Sequence, residues 1–262
     1  MTLFLHELKR NKFAWLIWTA VIAFMLVVCV VIYPEMAPQM NEMTDMFANM
    51  GDFTAAFGMD QLNFGEFTGY FAVECGNVLG LGGALFAGVL GITALAKEEK
   101  DHTAEFLLTH PVSRVDIVDE KLLAVLAQIT AMNLVVMGVN VLGILAIGEG
   151  GCLSSLLLVF LAYYLLQLQI AAITFGISAF LSKGGVAIGL GVGFGFYFLN
   201  ILSNLTEEAE FLKYVTPFGY CEGGYIVNEK TLEWKYLAVG LVMAAIGVAA
   251  AFWQYRRKDI RL

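Results

Sequence analysis

The side chains able to do chemistry in this 262-residue chain are few and do not converge. The three histidines are His6, His102 and His110. His102 and His110 flank a short predicted helix with no paired ligand beside them, which makes them solvated loop residues rather than a metal site. The four cysteines, Cys29, Cys75, Cys152 and Cys221, show no C-x-x-C spacing. Cys75 and Cys221 fall near one membrane face, so a disulfide is open; four free, small apolar residues is the simpler reading. Met36, Met40, Met43, Phe47 and Met50 recur at helical spacing. Thioethers suit Cu(I), but no His or Cys joins the stripe, so a helix resting on the membrane or on the rest of the domain is favoured. The chain has no G-x-x-x-x-G-K-[ST], no H-E-x-x-H, no G-x-S-x-G and no intramembrane Asp pair. No catalytic residue and no metal site follow, and no cofactor is expected on this chain.

What remains is polar chemistry inside apolar runs. Glu74, Asn133, Asn140, Gln167 and Gln169 all fall within or at the ends of long hydrophobic stretches. Polar groups at that depth hydrogen-bond between helices or line a cavity. These five are the cavity candidates.

The elements that must position them are membrane helices. The chain is 59% hydrophobic and 15% charged, where a soluble domain carries about 25% charged residues. Apolar runs of about 20 residues, enough to cross a bilayer, occur at 13–33, 71–96, 122–147, 153–181, 186–204 and 236–255. The predicted fold is an all-α membrane protein with six spans in a single domain, 1–262. Residues 1–12 read as an interfacial amphipathic helix, with Leu3, Phe4 and Leu8 opposite His6, Glu7, Lys9 and Arg10. Pro34 and Pro38 mark the end of the first span. Gly76, Gly80, Ala84 and Gly88 form one small-residue row; Gly185, Gly189 and Gly193 form another, and Gly191 with Gly195 a third. Such rows let helices approach closely.

Six spans put both termini on one side, together with 97–121. Of the 15 Lys and Arg residues, only Lys213, Lys230 and Lys235 fall on the other side. This bias places the termini and 97–121 in the cytoplasm, and 34–70 and 205–235 outside. The acidic residues outside account for the net charge of −8 without a cationic partner, and nothing points to nucleic acid.

The longest charged run is Lys97 to Lys121, KEEKDHTAEFLLTHPVSRVDIVDEK. Asp101 or Thr103 caps a short helix through Glu105, Phe106, Leu107 and Leu108. Pro111 stops it, because the residue before a proline is pushed out of helical geometry. Ser113-x-x-Asp116 is a capping-box start for the next helix. Phe106, Leu107 and Leu108 then form an apolar knob rimmed by charge, the mark of a protein interface. Glu98, Glu99, Asp101 and Glu105 oppose the alternative of anionic lipid.

This stretch resembles the cytoplasmic loop of type-2 ABC exporter permeases. The acidic pair Glu98-Glu99, then Thr103-Ala104-Glu105, Leu107-Leu108, Pro111-Val112-Ser113-Arg114 and Lys121 match that family's pattern; His102 stands where glycine is common. Glu7-Leu8-Lys9-Arg10 and Thr216-Pro217-Phe218 are similar to its opening and to its motif before the last span. The resemblance implies a permease of the prokaryotic plasma membrane. It implies a second permease subunit, identical or not, and cytoplasmic ABC ATP-binding subunits that hold the ATP and Mg. It also makes the loop a coupling helix, with Thr103, Glu105, Phe106, Leu107, Leu108, Pro111, Ser113 and Arg114 at the ATPase. The implied cargo is an amphipathic peptide, drug or lipid. Copper-enzyme maturation through the methionine stripe, and a membrane sensor or scaffold without transport, are the alternatives.

Overall fold

The computed structural model describes residues 2–48, 54, 56, 62–100, 113–182 and 185–258. Every regular element among them is helical. Helix α1 is Thr2–Ala48, α2 is Phe67–Cys75, α3 is Gly82–Lys100 and α4 is Arg114–Ala146. Helix α5 is Leu153–Ser178, α6 is Val186–Leu205, α7 is Gly223–Glu229 and α8 is Trp234–Arg257. A π-helical turn, Gly76–Leu81, joins α2 to α3, and short 3-10 turns cover Glu207–Tyr214 and Pro217–Tyr220. Six stretches are long and apolar enough to cross a membrane: Leu3–Met40, Phe67–Lys97, Arg114–Ala146, Gly150–Ser178, Val186–Leu205 and Trp234–Arg257.

The six are not equivalent. The most apolar windows of the second and fourth spans are 67% and 61% buried, whereas that of the fifth is only 17% buried. Helices α3 and α5 therefore form the inner pair. Helix α1 packs along α4, α6 along α3, and α8 along α5. Outward-facing Phe24, Leu142, Phe198 and Ile246 are exposed, as a surface that meets hydrocarbon requires.

One expectation is corrected. The sequence places an interfacial helix over 1–12, a span over 13–33 and the start of a loop at Pro34. Helix α1 runs without a break from Thr2 to Ala48, through both Pro34 and Pro38. A proline costs its helix one donor, and membrane helices tolerate this where neighbouring groups compensate. Here the helix is held past the prolines by packing. Tyr33 stacks its ring edge-on to Phe67 at 5.0 Å and lies 5.3 Å from the Tyr70 ring. Its hydroxyl donates to the Gly65 carbonyl at 2.8 Å. Met36 and Ala37 pack on the core, and Met40 is inside it. The described part of the methionine stripe thus faces protein.

Two of the small-residue rows meet. A Cβ on Gly189 would stand 2.6 Å from the Gly88 carbonyl oxygen, and one on Gly88 would stand 2.5 Å from that of Gly189. The α3 and α6 backbones touch there, and only glycine on both sides allows it. The third row, Gly191 and Gly195, faces open space. Gly189→Leu should therefore destabilise the detergent-solubilised protein by about 1–3 kcal/mol through overpacking. Gly191→Leu should be nearly neutral. Thermal unfolding of the two variants, followed by size-exclusion behaviour, checks the contrast.

Candidate functional site

The charged stretch falls in sequence between the end of α3 and the start of α4. Its residues Thr103, Glu105, Phe106, Leu107, Leu108 and Pro111 lie outside the described residues. Its two last predicted contacts, Ser113 and Arg114, are described. Ser113 begins α4 with a full capping box: its hydroxyl accepts from the Asp116 amide at 3.1 Å, and the Asp116 carboxylate accepts from the Ser113 amide at 3.2 Å. Two of the orphan donors at the helix start are satisfied in this way.

Arg114 is turned toward the chain's other end. Its guanidinium donates to the carbonyls of Tyr255, Arg256 and Lys258, at 3.2, 3.3 and 2.7 Å. These belong to the last turn of α8 and its cap, where carbonyls lack helical partners and the dipole favours a cation. Lys258 in turn donates to the Leu181 carbonyl just past α5, at 2.6 Å. Arg114 thus ties the start of α4 to the end of the last span.

Below this lies a buried ionic cluster. Lys121 is 1% exposed and Glu7 4%. The Lys121 ammonium meets the Glu7 carboxylate at 3.3 Å and donates to the Ala94 carbonyl at 2.5 Å. Arg10 pairs with the other Glu7 oxygen at 3.0 Å. Two further bonds seal α1 against α4. The Phe4 amide, an orphan donor at the start of α1, reaches the Glu120 carboxylate at 2.9 Å. The Trp15 indole donates to the Gln128 carbonyl at 2.9 Å.

Of the five cavity candidates, the structure joins two. The Asn133 amide donates to the Gln167 side-chain oxygen at 2.6 Å, and the Gln167 amide reaches the Leu79 carbonyl in the π-helical turn at 3.5 Å. This links the second, third and fourth spans at one depth. Asn140, fully buried, donates to the Val136 carbonyl of its own helix at 2.8 Å. Gln169 is 1% exposed and accepts from the Tyr220 hydroxyl at 3.1 Å. Glu74, half-buried, accepts from the Cys29 thiol at 3.6 Å. Asn133 also borders an open groove of about 300 Å³ between α4 and α5, beside Thr130, Met137 and Tyr164.

At the opposite end, Thr216-Pro217-Phe218-Gly219-Tyr220 is buried against the bundle. The Thr216 hydroxyl donates to the Phe196 carbonyl at 2.8 Å and accepts from the Phe218 amide at 3.2 Å. A Cβ on Gly219 would stand 2.4 Å from the Lys213 carbonyl oxygen, so only glycine fits. Thr216, Phe218 and Tyr220 are all buried. Beside them is a chamber of about 60 Å³ lined by Asn77, Tyr163, Tyr197, Asn200, Asn204 and Glu222. The four cysteines are free thiols, Cys75 and Cys221 included.

A model of the family described as ABC-2 family transporter protein matches residues 1–260. The chain belongs to that family. No curated protein and no solved structure matches it. It is the transmembrane permease subunit of an ABC transporter and a multi-pass membrane protein, and family membership implies association with an ABC ATP-binding subunit.

In this permease, sequence reasoning missed the pairing of Glu7 with Lys121, the turn of Arg114 toward α8, and the contact of Tyr220 with Gln169. The signal for the first was present: a lysine in the first turns of a long apolar helix, and a glutamate in an amphipathic N-terminus, each demand a partner. Lys121→Met should destabilise the protein, by less than the about 3–5 kcal/mol of a wholly unpaired buried charge, because Arg10 still pairs with the Glu7 carboxylate at 3.0 Å. Glu7→Leu combined with Lys121→Met should recover most of that. Thermal melts of the three proteins in detergent check it. A double-mutant cycle of Asn133→Ala and Gln167→Ala should give a coupling of about 0.6 kcal/mol, the usual worth of an interhelical hydrogen bond in a membrane protein.

Proposed function

We propose that this permease exports an amphipathic molecule, a peptide, drug or lipid, driven by ATP hydrolysis in a separate cytoplasmic subunit. The family match across residues 1–260 carries the reading. The segment 97–121 is the coupling loop, and Phe106, Leu107 and Leu108 seat in the ATPase. Glu105, Ser113 and Arg114 orient that contact, Arg114 by fixing the start of α4 against α8. The charge distribution supports cytoplasmic termini and loop in a prokaryotic plasma membrane. ATP and Mg belong to the partner, since the sequence carries no phosphate-binding loop. A second permease subunit completes the pathway.

The surface supports an amphipathic cargo. Two open grooves run between helices. One is that beside Asn133; the other, of about 420 Å³, lies between α5 and α8 on the outward face and is lined by Ile173, Ile177, Phe180, Met243 and Ile246. Both are apolar, and the first has polar groups at its floor. Such clefts suit a molecule with apolar bulk and a few polar atoms.

Leu107→Asp together with Leu108→Asp should abolish co-purification of the ATP-binding subunit in mild detergent. Membrane insertion should be unchanged. Retention of the ATPase by the double variant would sink the coupling-loop reading.

A further inference from the structure

A segment that transmits movement must not swing on its own stems. The stems of the 101–112 segment are α3, which ends at Lys100, and α4, which begins at Arg114. Lys121 bonds across them. Its ammonium donates to the Ala94 carbonyl of α3 at 2.5 Å and meets Glu7 of α1 at 3.3 Å. Glu7 is held on its own helix by Arg10 at 3.0 Å. The Phe4 amide is bound by Glu120, the neighbour of Lys121, at 2.9 Å. Three helices thus converge on one buried side chain.

Stability is a poor account of this arrangement. A buried ion pair loses in desolvation much of what it gains in attraction, and apolar residues of the same volume often do as well. What an ion pair with hydrogen bonds supplies, and apolar packing does not, is direction. The ammonium has three donors and no acceptor, and here two of them are committed to Glu7 and the Ala94 carbonyl. With two of its partners on different helices, neither helix can slide or rotate without breaking a bond in a site that excludes water.

We propose that Lys121 is a positioning residue that fixes both stems of the loop to the N-terminal turns of α1. Displacement of the loop is then delivered to α1, α3 and α4 as one movement. The second half of this statement rests on the reading of 97–121 as the ATPase contact.

The test uses the full-length chain with Glu7→Leu and Lys121→Met combined, which removes the direction and keeps the volume. Paramagnetic labels on non-natural amino acids replace Leu5 and Leu123, which are 54% and 56% exposed. The distance distribution between them should be narrow in the parent and broad in the double variant. The double variant should still bind the ATP-binding subunit. ATP hydrolysis in that complex should change by about fivefold or more, the lower end of ordinary coupling between sites. A distribution as narrow as the parent's overturns the positioning role. A broad distribution with unchanged hydrolysis overturns the transmission. If the double variant does not insert, Glu7→Gln removes the charge at constant shape and is read the same way. If the parent itself binds no ATPase, the loop reading fails and transmission fails with it; the label distances still decide whether Lys121 fixes the helices.

Discussion

An ammonium taken out of water tolerates few surroundings, and Lys121 is 1% exposed. That one constraint organises the loop end of the bundle. The charge must have an anion, and the anion is Glu7, far away in sequence at the start of α1. The first turns of α1 must therefore lie on α4 and near the end of α3. Once they do, the Phe4 amide finds Glu120 and the Trp15 indole finds the Gln128 carbonyl. The amphipathic N-terminus is then one face of a helix packed on protein, and its polar side is an ion-pairing side.

The middle of the bundle obeys a different rule. Lipid tails are as apolar as leucine, so helices do not associate there to escape water. They associate where backbones approach closely or where a polar group needs a partner. Gly88 against Gly189 is the first case. Asn133, Gln167 and the Leu79 carbonyl are the second. The π-helical turn Gly76–Leu81 carries that carbonyl, and such turns shift the register of a helix by a fraction of a turn. Both interactions involve the second span, the most buried of the six.

Much of the fold was legible in the sequence, and the reason is physical. Six long apolar runs have one solution each in a bilayer, because a helix satisfies its own backbone. The Ser113 box and the rows that meet at Gly88 and Gly189 were legible because both are local patterns, whereas the row of Gly191 and Gly195 looks the same in sequence and faces open space. Other features were not. The prolines of α1 read as a boundary because the sequence shows the lost donor and hides the ring of Tyr33 that holds the helix past it. The amides were visible as polar residues at depth, but which of them pair depends on helix rotation. Arg114 read as a surface residue facing a partner. Its bonds to the end of α8 require knowing that two segments distant in sequence end side by side.

The two ends of the permease are tied by different sets of groups. At the loop end, charges tie α1, α3 and α4 together, and Arg114 adds α8. At the far end, Thr216 to Tyr220 is buried and bonded to α6 and, through Gln169, to α5, with Phe218 and Tyr220 in the core and the Lys213–Glu222 ion pair beside it at 3.0 Å. Neutral bonds of that kind are each worth about 1 kcal/mol net, whereas breaking the ionic cluster strands a buried charge. Between the ends, glycine backbones in contact interlock few side chains and resist sliding weakly. The loop end is thus the end whose helices are fixed by buried charge.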